Sequence, residues 1–470
     1  MMFEQKRLHP IAILFNLIVI IKNTLFIIIA AFLGISVSYF FLIGILGFIL
    51  FIIVFSFLSW YRFIYWIEND ELRIEYGIFV RKKRMISKNR IQSIDLTANP
   101  IHRLLGLVKV QVETAGSNEG AEASLSAVHL TEAEQLKSIL KEQSLSSDIA
   151  EEVEQQNQVQ EKISPQRLFM AGTTSSSIGV LLAIVAFGFS KVEQFLPEHL
   201  YENTVALIIS FSLSMIIVLA FLFFFILWLI GIAGTMLKYW NFTIVKQGKE
   251  LLIQRGLLET KQLTIPLNRI QAIEIEQSLI RQPLGYVSLH VVVAGSDVKE
   301  GFPVVFPFMR MVEVESFLQR FLPDYTGMLV PLKPLPKRAL KFYIFRALIP
   351  MIILSILIWY FLPNFLWVII LLSMLGIGIG YLRYKDSGYR IQGKKVTWCK
   401  RLIGKTIVLV YHRRIQAFEE KQFKVQAWQK LATARLSIIG SLGAGTHYTL
   451  KDLEEADVEE IGDWYSYREN

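Results

Sequence analysis

Three long apolar stretches divide the chain, and each is followed by a segment of short runs in which apolar and polar residues alternate. A helix rises about 1.5 Å per residue, so roughly 20 apolar residues cross the hydrocarbon of a bilayer. The first stretch, residues 11–59, is interrupted by Lys22-Asn23 and is too long for one span. It reads as spans near 24–41 and 43–60 after an interfacial lead-in at 8–22, or as spans starting near 11 and 36. The second stretch predicts spans near 170–190 and 205–231, separated by the acidic loop 191–204. The third predicts spans near 342–361 and 364–381, turning at Pro363-Asn364. The expectation is six spans in three hairpins.

The segment after the first hairpin predicts strands at 63–67, 72–76, 79–86, 91–96, 107–113 and 124–130, from their length and their β-branched and aromatic content. Asn69-Asp70 marks a turn. Thr131, with Glu134 three residues on, predicts the N-cap of a helix reaching Leu140. The order recurs after the second hairpin, with strands near 241–246, 250–255, 258–265, 270–276, 286–293 and 302–306 and a helix near 309–321. It recurs more loosely after the third, with strands near 388–391, 395–400, 406–410, 415–420 and 433–439 and a helix from about 451 to 465.

The recurrence is exact at two landmarks. Asn89-Arg90-Ile91-Gln92 returns as Asn268-Arg269-Ile270-Gln271 and as Arg413-Arg414-Ile415-Gln416. Ala115-Gly116-Ser117 returns as Ala294-Gly295-Ser296 and as Ile439-Gly440-Ser441. Both landmarks step by 179 residues (270−91, 295−116) and then by 145 (415−270, 440−295), so nothing is inserted between them. One folded unit is used three times. The third copy departs where Arg401 replaces Gly77 and Gly256, and where Lys430 replaces Gly106 and Gly285, so its turns are expected to differ.

A meander of strands closed by one helix predicts a small barrel or bent sandwich. The fold class is thus membrane α plus β: six transmembrane helices in three hairpins, each followed by one such module. The expected layout is lead-in and hairpin 1–60, module 61–140, Gln/Glu-rich linker 141–164, hairpin 165–234, module 235–322, Pro-rich linker 323–338, hairpin 339–383 and a divergent module 384–470. Ile94 and Leu96 lie on one face of their strand, as do Ile273 and Ile275. Asp95, Glu274 and Glu419 recur on the other face, which is predicted to be wet or in a partner interface.

Composition then narrows the class. The chain is 53% hydrophobic, too apolar for an ordinary soluble protein of 470 residues. The start reads as an uncleaved anchor, because its apolar region is far longer than a signal core. Basic residues cluster beside the hairpins, whereas the loop around Glu193, Glu198 and Glu202 has only Lys191. The termini and modules are therefore expected on the cytoplasmic side of the cell membrane. That placement accounts for the net charge of +9 without nucleic acid.

Candidate chemistry is sparse. The seven histidines show no metal-ligand spacing, and no P-loop, nucleophile elbow or dinucleotide fingerprint is present. Cys399 reads as a small packed side chain. No catalytic residue, cofactor or metal is expected. The recurring Arg90, Arg269 and Arg414 have forks suited to an anion or an interface, with Gln92, Gln271 and Gln416 beside them. The alternative is that each arginine bonds loop carbonyls at a strand start. Arg81-Lys82-Lys83-Arg84 reads as a membrane-surface basic patch, or as plain positive-inside topology. Polar residues inside the spans are few; Arg346 lies near a span end, where it can snorkel.

The stretches 86–96, Leu104-Leu105-Gly106-Leu107, Val112-Glu113-Thr114-Ala115-Gly116 and the helix from Glu132 resemble the bacterial pleckstrin-homology (PH) domain membrane proteins of the YdbS/YdbT type. So do Ile265-Pro266-Leu267-Asn268-Arg269-Ile270-Gln271, Leu284-Gly285 and Ala294-Gly295 in the second unit. The tripled arrangement is similar to the YdbT branch. The resemblance implies cytoplasmic PH-like modules that self-associate, or pair with a smaller one-module relative, and contact membrane lipids. It implies no shared reaction. A non-enzymatic scaffold at the membrane is the expected role, with membrane stress or antimicrobial-peptide tolerance as its setting. A transporter or channel component and a lipid-modifying membrane enzyme are the alternatives.

Overall fold

The computed structural model describes residues 5–34, 39–114, 122–141, 159–175, 212–295, 301–361, 366–440 and 445–466. The span at 170–190 beyond Ser175, the loop 191–204, the linker 142–158, the turn at Pro363-Asn364 and the landmark Ala115-Gly116-Ser117 lie outside these residues.

The first hairpin is formed by helices Ala12–Gly34 and Tyr39–Arg62. This is the register starting near 11 and 36, and it replaces the lead-in at 8–22 with spans at 24–41 and 43–60. A single Lys22-Asn23 does not end a helix, because neither residue lacks a backbone donor or forces an unusual φ. The second hairpin contributes the helix Leu213–Tyr239, whose end falls past the expected 231. The third contributes Leu340–Phe361 and Trp367–Asp386. Among the described residues, three helices are long and apolar enough to cross a membrane: Ile217–Tyr239, Lys337–Tyr360 and Trp367–Asp386. In the third hairpin Gly376 and Gly380 recur at the spacing that lets helices approach closely. A Cβ on Gly380 would lie 2.6 Å from Ile344 Cα.

Each repeat begins with a strand before its hairpin. These are β1 (Lys6–Arg7), β8 (Val159–Lys162) and β15 (Lys333–Pro334). The first repeat continues with β2 (Ile64–Glu68), β3 (Glu71–Tyr76), β4 (Lys82–Ser87), β5 (Ile91–Ala98), β6 (Leu107–Thr114) and β7 (Ala123–His129), then the helix Leu130–Lys141. Helix formation starts before Thr131, so that residue lies inside the helix and is not its cap. Asn69 and Asp70 both take positive φ (53° and 60°), as a two-residue hairpin turn matched to strand twist demands.

The second repeat supplies β9 (Thr243–Gln247), β10 (Glu250–Arg255), β11 (Thr260–Pro266), β12 (Ile270–Gln277), β13 (Tyr286–Val293) and β14 (Val304–Arg310) before the helix Val314–Phe321. The third supplies β16 (Gly388–Gln392), β17 (Lys395–Arg401), β18 (Lys405–Tyr411), β19 (Ile415–Lys421), β20 (Leu431–Ile439) and β21 (Gly445–Glu454) before the helix Glu455–Ser466. β21 was not expected, and the closing helix starts at 455 rather than 451. The run Gly445-Thr446-His447 lacks the apolar alternation by which the other strands are read.

The strand before each hairpin returns to the sheet that the hairpin leads into. β1 pairs with β2, Lys6 opposite Tyr65, and β15 pairs with β16, Lys333 opposite Tyr389. In the second repeat Ile163 N donates to Phe242 O at 3.1 Å. The ends of the linkers 141–164 and 323–338 are therefore sheet strands.

The compact units do not coincide with the repeats. One gathers the first repeat with Val245–Pro266, and the other gathers Val159–Ile244 with Leu267–Asn470. In the first, sheet β1-β2-β3-β4 faces β7-β6-β5 across a core that includes Tyr65, Leu72, Ile94, Leu107 and Leu125, and Ala133 and Leu136 of the closing helix plug one end. In the second, the third repeat packs β15 to β18 and β19 to β21 around Trp398, Val408, Leu436, Tyr448 and Ile461.

The two substituted turns of the third repeat behave differently. Lys430 keeps the left-handed conformation of its counterparts, φ 50° against 65° at Gly106 and 69° at Gly285, so this turn does not differ. Its backbone is anchored on both sides, Lys430 N to Ala427 O at 3.0 Å and Glu455 N to Lys430 O at 3.2 Å. Arg401 does change its turn: Gly77 and Gly256 have φ 109° and 107°, and Arg401 has no positive φ. Its buried side chain instead bonds Asp386 and Gln282, both at 2.5 Å. A side chain in the left-handed region costs roughly 1–2 kcal/mol. Lys430→Gly is expected to stabilise the protein by about 1 kcal/mol after the entropy cost of glycine. A higher thermal unfolding midpoint in detergent checks this.

Candidate functional site

The repeats are joined strand to strand. In a two-sheet module the chain leaves one sheet at the fourth strand and enters the other at the fifth. Both strands are thereby left with an open hydrogen-bonding edge. The first repeat closes its β5 edge on β11 of the second, with Gln262 opposite Leu96, Lys261 opposite Thr97 and Thr260 opposite Ala98. The second closes its β12 edge on β18 of the third, from Ala272 opposite Val410 to Gln277 opposite Lys405. Moving the second set back by the repeat offsets, 179 for β12 and 145 for β18, places Gln277 and Lys405 on Ala98 and Thr260. The two junctions therefore share one register.

The recurring acids are the junction residues. Asp95 accepts from Thr264 N at 2.8 Å, across the first junction. Glu274, 5% exposed, accepts from Tyr448 OH at 2.7 Å, across the second. Burial raises the Glu274 carboxyl above the usual carboxylate range, outweighing the donated Tyr448 hydrogen bond that lowers it. The same burial, with Glu274 beside it, raises the Tyr448 phenol. Glu419, the third copy, sits on the exposed strand β19 and pairs with Lys421 Nζ at 2.9 Å and Arg435 Nη1 at 3.5 Å. Alternation along the strands placed these acids on a face apart from the core; only the fold shows which strands they meet.

The recurring arginines occupy the loops beside the junctions. Arg269 Nη2 donates to Ala294 O, and Gln271 Nε2 to Arg269 O at 3.0 Å. Arg414 Nη2 reaches Asn268 O of the preceding repeat at 2.6 Å. Arg90 and Gln92 lie on the first repeat, exposed and half-buried, and Gln416 is exposed. In the basic patch, Arg81 and Lys83 both pair with the buried Glu75, Lys83 at 3.0 Å. Arg84 donates to Glu122 O, and Lys82 is exposed.

A second site lies where the Pro165–Thr173 and Leu213–Tyr239 helices meet strands β12 to β14. A cavity of about 520 Å³ is bordered there by Lys238, Glu276, Ser278, Arg281 and His290. Arg281 bonds Thr174 Oγ1 at 3.1 Å and Pro307 O at 3.3 Å, and lies 5.1 Å from the Phe308 ring centre. Burial lowers the Arg281 pKa and holds His290 below the usual imidazole range, although Glu276 stands 3.5 Å from it. Sequence spacing gave no sign of this site, because its residues come from two helices, three strands and the turn after β12. Among the described residues no group of three His, Cys, Asp or Glu is placed to hold a metal ion. Cys399 is buried, and burial raises its thiol to about 11.

The bacterial PH domain family model matches residues 16–144, 192–324 and 340–469. Transmembrane protein YdbT of Bacillus subtilis (strain 168) is 35% identical over 492 aligned positions, covering 99% of this chain and 99% of its own. No solved structure matches. The chain belongs to the bacterial PH domain family, as a membrane-associated member carrying the domain three times.

A raised carboxyl pKa has a definite sign for stability. Below the ordinary carboxylate range both folded and unfolded states hold the proton. As pH rises through that range the unfolded chain ionises first, so the fold loses stability until Glu274 itself ionises. Glu274→Gln keeps an acceptor for Tyr448 and is expected to gain stability over the parent as pH rises through this window. Glu274→Ala strands the Tyr448 hydroxyl and is expected to cost about 1–3 kcal/mol. Thermal unfolding of both variants across pH checks the pair.

Proposed function

We propose that this three-repeat member of the bacterial PH domain family is a non-enzymatic scaffold at the cell membrane. Six spans in three hairpins hold the modules against the cytoplasmic face, and the modules bind one another, partner proteins and lipid headgroups. The observation that carries this reading is the continuous strand pairing between repeats. It commits the repeated geometry of the modules to assembly. The hairpins support the same reading, because β1 and β15 each join the sheet that their hairpin leads into, which brings both feet of a hairpin to one side. Arg346, one turn and more into the third hairpin, is paired with the buried Asp452 of its module, which favours anchoring over a polar path.

Lipid contact is favoured by the cavity at Lys238 and Arg281, which lies at the foot of the Leu213–Tyr239 helix. Its two cations suit an anionic headgroup at the bilayer surface. The physiological setting we assign is membrane stress, including tolerance of membrane-active antimicrobial peptides.

Deletion of the gene is expected to raise peptide sensitivity and membrane leakage, with restoration by the intact chain; unchanged leakage would count against the role. For topology, Lys249→Cys places a thiol in the exposed turn between β9 and β10. It is expected to react with an impermeant maleimide only after the membrane is opened. Labelling of intact cells would reverse the assigned orientation.

A further inference from the structure

Among the described residues, two strands of the series that forms the junctions keep an open edge. Strand β4 pairs with β3 alone, and β19 pairs with β20 alone. They are the first and last members of the series that forms the junctions: β4 corresponds to β11 and β18, and β19 to β5 and β12. Their exposure follows from the missing neighbour. Gln271, Ala272, Ile273 and Glu274 of β12 are all buried, whereas the corresponding Gln416, Ala417 and Glu419 of β19 are exposed. Lys82 to Met85 of β4 are exposed, Met85 at 57%.

We propose that β19 of one copy docks on β4 of a second copy, in the register of the two internal junctions, so that the chain assembles head to tail. The register follows from the repeat offsets. Moving Glu274 and Ile275 forward by 145 gives Glu419 and Glu420, and moving Val408 and Ile407 back by both offsets gives Arg84 and Lys83. Glu419 therefore stands opposite Arg84, Glu420 opposite Lys83 and Phe418 opposite Met85. Residues directly opposite in an antiparallel pair lie on the same face with Cβ atoms about 4.5–5.5 Å apart. Two acid–base pairs and one apolar pair fall into place, and one like-charged pair, Lys421 with Lys82, falls near the end of the run.

The acid at this position already crosses both internal junctions, as Asp95 to Thr264 N and as Glu274 to Tyr448 OH. Glu419 is the copy whose strand, β19, has no junction partner among the described residues. An open edge strand also templates indiscriminate pairing, which lysines deter. The basic run of β4 therefore excludes most edges while accepting an acidic one. Because the two surfaces are different, the contact is heterologous: it closes into a ring or continues as an open chain. This assigns the lysine and arginine patch at 81–84 a protein partner, a second copy of the same chain.

The inference rests on the scaffold reading, and the experiment separates the two. Full-length chains carrying Glu420→Cys with one tag and Lys83→Cys with another are co-expressed in membranes and treated with a short bifunctional thiol reagent; buried Cys399 stays in place. A product carrying both tags at twice the chain mass is expected. It should fall roughly tenfold when Glu419→Arg is added to the first chain, and return when Arg84→Glu is added to the second. Thermal unfolding and light-scattering mass of each variant in detergent accompany the crosslinking. Folded, oligomeric protein without the two-tag product overturns the docking and leaves the scaffold standing. Folded, monomeric protein without it overturns both. A product joining β19 to a smaller membrane protein, and not to β4, overturns self-assembly.

Discussion

The structure depends on satisfying the open edges of its sheets. A two-sheet module built from a meander leaves its fourth and fifth strands with unpaired backbone groups on one side. Such groups must find partners, because a buried unpaired donor or acceptor costs as much as a lost hydrogen bond. Here the partner is the next module. β5 takes β11 and β12 takes β18, in one register. The compact units cut through the second repeat for this reason: β10 and β11 belong with the first repeat, and the rest with the third. The repeat of the sequence is the hairpin with its module, whereas the packing unit is a module with its neighbour's sheet.

The membrane segments obey the same economy. The strands flanking a hairpin are laid side by side, so the entering and leaving chain share hydrogen bonds at the foot of the helices. Two charges near the third hairpin are then used on protein. Arg346 pairs with Asp452, whose second oxygen accepts from Gln426 Nε2 at 2.6 Å. Arg401, in the place of a glycine, ties the turn before β18 to Asp386 at the end of the last helix. Where the other two repeats have a positive-φ glycine, the third has a buried ion pair between the module and its hairpin.

A buried acid at a junction is informative in the same way. Glu274 would be costly in the core were it not facing Tyr448, and hydrogen bonds to a group that resists ionising specify a partner more than they stabilise one. The exposed Glu419 occupies the equivalent position with local lysine and arginine contacts only.

Much of the architecture was legible in the chain by itself. Fixed offsets between landmarks established three copies of one unit, and alternation placed the strands that follow each hairpin, β21 apart, to within a few residues, because side-chain period depends on local backbone geometry. The family followed from the same residues. The recurrence of Asp95, Glu274 and Glu419 on the non-core face was also visible. What those acids touch was not, since strand pairing joins residues far apart in sequence and periodicity carries no record of which edge meets which. The same reason hid the cavity at Arg281 and the strands at the ends of the linkers. Lys22-Asn23 misplaced the first helices because polarity marks a break only when nothing else satisfies the backbone, and in a helix the backbone satisfies itself. Lys430 kept a glycine's conformation because hydrogen bonds on both sides hold it there, a constraint that only the folded neighbours impose.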